Sequence, residues 1–167
     1  MLRISKKGDY AVFIMGHLAR HAEGAENGVI SAQEIADKSG LHRSVVANLL
    51  KDLTKGGLLD SVRGLRGGYR LALPAEEISL GQILTIVEGP FALVDCATEP
   101  VSEDDQHCSL MSFCPSKRPM QVLHQRIQGL MDELKLPELI GEISFDLPTN
   151  HDNAAQDRAA TPTADPV

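Results

Sequence analysis

The stretch Arg63-Gly64-Leu65-Arg66-Gly67-Gly68-Tyr69-Arg70 decides how the rest of the chain is read. Three arginines and three glycines share eight residues. On its far side Tyr69, Leu71 and Leu73 alternate with Arg70 and Ala72 at period two, the pattern of a half-buried strand, and Pro74 closes the run. On its near side residues 58–62, Leu-Leu-Asp-Ser-Val, read as the partner strand. Residues 63–68 are then the turn of a hairpin with a basic tip. Glycine there lets backbone and guanidinium groups come close to a ligand.

Working upstream, residues 42–55 read as a helix. Val46, Leu49, Leu50 and Leu53 form its buried stripe, while His42, Arg43, Ser44, Ala47, Asn48 and Lys51 lie on the other side and are short or polar. Gly56-Gly57 ends it. A shorter helix precedes it over residues 31–39, where Ser31 and Glu34 have the spacing of a capping box and Gly40 can take the left-handed conformation that stops a helix. Before that, Tyr10, Phe13, Ile14, His17 and Leu18 place an apolar stripe on a helix over residues 6–22, followed by a loop. Two short helices joined at a glycine and followed by a basic hairpin make a winged helix–turn–helix. In such a unit the second helix enters the major groove. Arg43 can pair bidentately with guanine and Asn48 with adenine. Ser44 and Lys51 are expected at phosphates, and Arg63, Arg66 and Tyr69 in the wing at phosphates or the minor groove. The expected fold class is thus mainly α with a small β-hairpin wing, plus a long C-terminal dimerisation helix.

The bulk numbers agree once their distribution is considered. The 167 residues carry a net charge of −7, which by itself argues against nucleic acid. Residues 1–75 hold 11 Lys/Arg against 7 Asp/Glu, a balance of +4, and residues 76–167 hold 5 against 16, a balance of −11. Only the contacting face must complement phosphate. No apolar run is long enough to span a bilayer, and Lys6, Lys7 and Asp9 stand where the apolar segment of a signal peptide would be. These features predict a cytoplasmic protein with no membrane contact.

Downstream of the wing, Ser79 and Gln82 form a second capping box, and Leu80, Ile83, Leu84 and Val87 give that helix its apolar face. Residues 91–118 have no sustained period and contain all three cysteines of the chain. A loop of that length is usually functional or disordered. From 119 to 135 the period returns: Met120, Leu123, Ile127, Leu130 and Leu134 are spaced 3, 4, 3 and 4, a short coiled-coil seam suited to pairing with a copy of itself. Residues 146–167, rich in Pro, Thr, Ala, Asn and Asp, read as a disordered tail. The expected organisation is a DNA-binding domain over 1–75, a helix, cysteine loop and dimerisation helix over 76–145, and the tail.

Cys96, Cys108 and Cys114 are spaced C-x11-C-x5-C. Thiolates are soft ligands for iron–sulfur clusters and for zinc. Spacing alone leaves a cluster, structural zinc and plain thiols, including a redox switch, all open. The chain has no C-x-x-C pair, no nucleotide-binding glycine fingerprint and no evident catalytic constellation, so no enzyme activity is expected.

A family resemblance adds to this reading. Leu2-Arg3-Ile4-Ser5 with Asp9-Tyr10-Ala11, then Ile35-Ala36, then Leu53, Gly57-Leu58-Leu59, Ser61-Val62-Arg63-Gly64 and Gly67-Gly68-Tyr69-Arg70-Leu71, together with Ile78-Ser79-Leu80, resemble the Rrf-two family of bacterial regulators. That family includes IscR, NsrR and the SUF-system regulators. The likeness covers about residues 1–140 and is closest to the SUF-system members. It implies a homodimeric transcription factor, a repressor in our expectation, that binds a double-stranded operator and answers to an iron–sulfur cluster, redox state or nitric oxide. It also implies control of genes for iron–sulfur cluster assembly, and that Cys96, Cys108 and Cys114 are cluster ligands. Here the first cysteine gap is longer than in IscR-like members, and Lys117 stands where those members have a histidine ligand. The candidates for the fourth ligand are Asp9, which matches the position of an aspartate ligand in NsrR-like members, and His107, next to Cys108. The cluster type, 2Fe–2S or 4Fe–4S, stays open with that choice.

Overall fold

A computed structural model describes residues 3–24, 28–64, 67–94 and 113–141 of the chain. Helix α1 spans Lys6–Gly24. Ser5 caps it: its Oγ accepts from the amides of Lys7 at 3.1 Å and Gly8 at 3.2 Å. Ala11, Ile14, Met15 and Leu18 are fully buried and Ala19 nearly so. The expected stripe is therefore rotated. Ile14 and Leu18 are central as anticipated, but Tyr10, Phe13 and His17 are only half-buried at its flank. Small Ala and flexible Met, inconspicuous in a periodicity reading, form the contact face because α1 lies close against several neighbours at once.

Helix α2, Ala32–Ser39, begins at Ser31, whose Oγ accepts from the Glu34 amide at 3.1 Å. The return half of the expected capping box is replaced by a salt bridge from Glu34 to Lys38 at 2.8 Å. Gly40 ends the helix at φ 65°, the left-handed turn expected there, and leads into α3, Arg43–Lys55. Val46, Leu49, Leu50 and Leu53 are buried, each within 1% exposure or less. At about 1.5–3 kcal/mol for each fully buried aliphatic side chain, this one face outweighs the capping contributions of the helix.

The wing is the hairpin β1, Leu59–Val62, with β2, Gly68–Leu71, in antiparallel register Leu59↔Leu71, Asp60↔Arg70, Ser61↔Tyr69 and Val62↔Gly68. A third segment joins it. Ile30 and Tyr69 exchange backbone hydrogen bonds of 3.0 and 2.8 Å, so β2 is paired on both edges. A Cβ at Gly68 would collide with the carbonyl of Ile30, so the close approach demands glycine.

A short 3-10 turn, Ala75–Glu77, leads to α4, Leu80–Glu88. Both halves of its capping box form: the Ser79 amide donates to Gln82 Oε1 at 2.8 Å, and the Gln82 amide to Ser79 Oγ at 3.2 Å. Helix α5 spans Lys117–Glu133, two residues earlier at each end than the period suggests, and α6, Leu136–Ile140, follows at once. The break has a tertiary cause. Leu80 donates its amide to Leu134 O at 2.9 Å and Leu136 donates to Ile78 O at 2.8 Å, which breaks the helix at residues 134–135 and holds the chain there on the start of α4. Pro137 sits in the first turn of α6, where a missing amide costs little.

The core crosses the boundary expected after residue 75. Ile78, Ile83, Val87, Leu136 and Ile140 share one buried cluster with Leu18, Leu50 and Leu59. Helix α6 returns to α1, where Arg20 Nη2 donates to Ile140 O at 3.0 Å. Among the described residues no helix is long and apolar enough to cross a membrane. The expected tail over 146–167 lies outside the described residues.

Candidate nucleic-acid interface and cysteine loop

The outer face of α3 carries every side chain expected there. Arg43, Ser44, Asn48 and Lys51 are all exposed. The one carboxylate of α3, Asp52, is turned away and paired with Lys7 Nζ at 2.9 Å. Lys7 also donates to the Val87 carbonyl at 2.9 Å, so a single ammonium on α1 joins the recognition helix to the end of α4. Beside it, Ser5 donates from its amide at 3.0 Å and its hydroxyl at 2.6 Å to Glu88, the last residue of α4. The outer face of α3 is left polar and basic, and no acid among the described residues pairs with Arg43 or Lys51.

The sequence reading missed His42. It is the N-cap of α3: its Nδ1 accepts from the Ser44 amide at 3.3 Å and lies 2.8 Å from Ser44 Oγ. Ser44, expected at phosphate, is therefore already engaged within the helix terminus. Histidine is not among the preferred caps, so the usual cap signal was absent.

In the wing, Arg63 is exposed just beyond the last paired residue of β1. Arg66 lies outside the described residues. Arg70 is not a free cation: its Nη2 is 3.3 Å from Asp60 Oδ2, its cross-strand partner. Tyr69 is half-buried and packs against the core, so its ring supports the wing from within.

The ends of the cysteine loop are described, and its middle is not. Cys114 is a free, half-buried thiol three residues before α5, and its carbonyl accepts from the Lys117 amide at 3.3 Å. Cys96, Cys108 and His107 lie outside the described residues. Asp9 is exposed in the first turn of α1. Among the described residues no three His, Cys, Asp or Glu side chains converge as a metal site. His124 is the one buried side chain of α5; it stacks on Phe91, centroids 5.2 Å apart and planes 12° from parallel, and its buried Nδ1 has no hydrogen-bond partner among the described residues. His124 lies two helical turns, about 10.5 Å of rise, beyond Lys117. That places it well inside α5, away from the end where Cys114 sits.

Part of the apolar surface of α5 is exposed among the described residues. Leu123 is 43% exposed, Val122 45% and Leu130 58%. Met120, Ile127 and Leu134 of the expected seam are half-buried.

Two joined helices with a free polar face, braced by a two-strand wing, define a winged helix–turn–helix transcriptional regulator. The chain belongs to the Rrf2 family, whose model, described as an iron-dependent transcriptional regulator, matches residues 4–142. It is similar to the HTH-type transcriptional regulator IscR of Aliivibrio salmonicida, 30% identical over 139 residues that cover 83% of this chain and 77% of that one. Its fold is similar to that of CymR, the global cysteine regulator of B. subtilis, with a TM-score of 0.64 and 29% identity over 86% of this chain and all of that one. IscR of T. potens gives a TM-score of 0.62 at 26% identity, covering 86% and 93%. The protein is thus a transcriptional regulator of the Rrf2, IscR and CymR type.

Proposed function

We propose that this regulator binds its operator as a homodimer and that its affinity answers to an iron–sulfur cluster held by Cys96, Cys108 and Cys114. One observation carries the reading. The loop bearing the three cysteines joins the end of α4, hydrogen-bonded through Lys7 and Glu88 to α1 and α3, to α5, whose apolar residues stand uncovered. A change in that loop acts on both the recognition helix and the dimer helix. Two recognition helices must match successive major grooves, so their relative placement controls binding.

The donor set suits the cluster: thiolates are its ordinary protein ligands, and the similarity to IscR supports them. Asp9 or His107 completes the set. Asp9 is remote from the cysteines in sequence and stands in the first turn of α1, whereas His107 is next to Cys108. When bound, the cluster supplies a redox- and nitric-oxide-reactive group. The chain's own part is to hold the loop and to pass its state through Glu88 and Lys7 to α3. The SUF-system likeness makes cluster-assembly genes the proposed targets.

Anaerobic reconstitution with iron and sulfide tests this. A thiolate-to-iron absorption band, its loss in Cys114→Ala, and an operator affinity that changes on cluster removal are expected. A colourless protein with unchanged affinity overturns the reading. The likeness to CymR of Staphylococcus aureus, which has been solved in an oxidised form, favours a second reading in which the cysteines act as redox thiols; structural zinc is the other non-cluster use of the same ligands. Metal analysis of protein purified without air separates the two.

A further inference from the structure

We infer that His42 reads a base directly, donating from Nε2–H to a purine N7 in the major groove. The inference rests on α3 being the recognition helix. Its starting point is the cap. An imidazole nitrogen that accepts a backbone N–H carries no proton, so a ring capping α3 through Nδ1 is the Nε2–H tautomer. The Ser44 hydroxyl lies 2.8 Å from the same nitrogen, and in that tautomer it is the donor of the pair, so two contacts hold the ring plane. Nε2–H therefore becomes an oriented donor on an exposed residue, at the end of α3 that approaches base edges. Among the described residues no side chain other than Ser44 bonds the ring, so none of them competes for that donor.

The chemistry of the groove then selects the partner. The acceptors there are purine N7, guanine O6 and thymine O4, and N7 is the one that every base pair presents, whereas the cytosine N4 amino group, itself a donor, cannot pair with a second donor. A phosphate is the less apt target, because Arg43 and Lys51 on the same face supply charge while the capped ring is neutral. The cap also gives the contact its rigidity. Moving the ring to any other rotamer would leave the Ser44 amide unpaired at the helix terminus.

The test is a cycle between one protein atom and one DNA atom. The full-length protein first selects its operator from random duplexes, and each half-site purine is then replaced by its 7-deaza analogue, which lacks only the N7 acceptor. His42→Ser is the variant, because serine caps helices well and is too short to carry a donor to the base edge; if circular dichroism shows it unfolded, His42→Asp, a cap without a donor, takes its place. One purine position per half-site should show a loss of about 3- to 10-fold for the wild type on 7-deaza substitution, the range for one neutral hydrogen bond. The variant should bind the native operator weaker by a similar factor and be indifferent to the substitution. A 7-deaza effect equally large in wild type and variant, or no position sensitive to N7, overturns the inference and leaves His42 as a cap only. Failure of the wild type to select any sequence would instead refute the recognition-helix reading on which the inference stands.

Discussion

Arg43, Asn48 and Lys51 stand on α3 without an intramolecular partner among the described residues, and that freedom separates their roles. Asn48 has the donor and acceptor to pair with an adenine edge, so Asn48→Ala is expected to relax base choice at one position of each half-site. A bidentate contact is worth about 1–3 kcal/mol, read as the ratio of specific to mismatched affinity. Lys51 is a flexible point charge, and Lys51→Ala is expected to weaken all sequences alike and to reduce the salt slope by about 1. A second residue-scale effect lies at the contact of α1 with α2. Burial holds the His17 imidazole below its usual range, and Lys38 and then His21 add to this. A histidine whose folded value is lowered stabilises the fold above its unfolded value, and that contribution is lost as pH falls through and below the unfolded value near 6.5. The melting temperature should therefore drop between pH 7 and pH 5, and the drop should shrink in His17→Leu. An equal drop in both proteins would assign the acid sensitivity elsewhere.

At the scale of elements, α5 is the helix whose sequence and packing disagree most. Its 3–4 spacing predicts a seam, yet within one chain Leu123 and Leu130 are exposed and His124 is its one buried side chain. The homodimer proposed above would cover such a face. Leu123→Asp with Leu130→Asp is expected to halve the mass seen by light scattering while α3 and the wing keep their structure. Operator affinity should fall steeply, because each half-site would be bound alone. A full-mass dimer in the double variant would move the interface away from α5. The loop elements behave differently. Residues 134–135 break the helix between α5 and α6 because the segment at the start of α4 bonds Leu134 and Leu136, a constraint that no local propensity contains.

At the scale of the whole molecule, charge is divided between the two halves of the chain. The first 75 residues are positive and the remainder strongly negative, so the net value of −7 describes neither surface. Binding should therefore weaken with salt as in any protein that displaces counterions from phosphate, despite the acidic total. Operator titrations from 50 to 200 mM salt check this, and an affinity that rises with salt would exclude α3 and the wing as the contact surface. Both halves also share one core, with Leu136 and Ile140 packed among residues of the first domain. Deleting the chain after residue 75 should leave a unit that does not fold cooperatively, as judged by thermal melting.

How far the sequence alone reached can be traced in particular residues. The periods of 46-49-50-53 and 69-71, the glycine at 40 and the Ser79–Gln82 box are local signals. A helix or strand forms them from neighbours three, four or two positions away, and the structure has them. The face of α1, the pairing of Ile30 with Tyr69 and the end of α5 depended on partners distant in the chain, which no local pattern encodes, while the half-formed box at Ser31 reflects a local competitor, Lys38, for the Glu34 carboxylate. The candidate site divides the same way. The free polar face of α3 was legible because it is the complement of a buried stripe. The engagement of Ser44 by His42, the pairing of Arg70 with Asp60 and the strut from Lys7 to Asp52 and Val87 were not. By itself, then, the sequence determined the winged helix–turn–helix and its basic face, through spacing and charge. Tertiary structure alone decided which of those polar side chains are free to meet DNA, because a cation or hydroxyl is available only when no neighbour from elsewhere in the fold has already bound it.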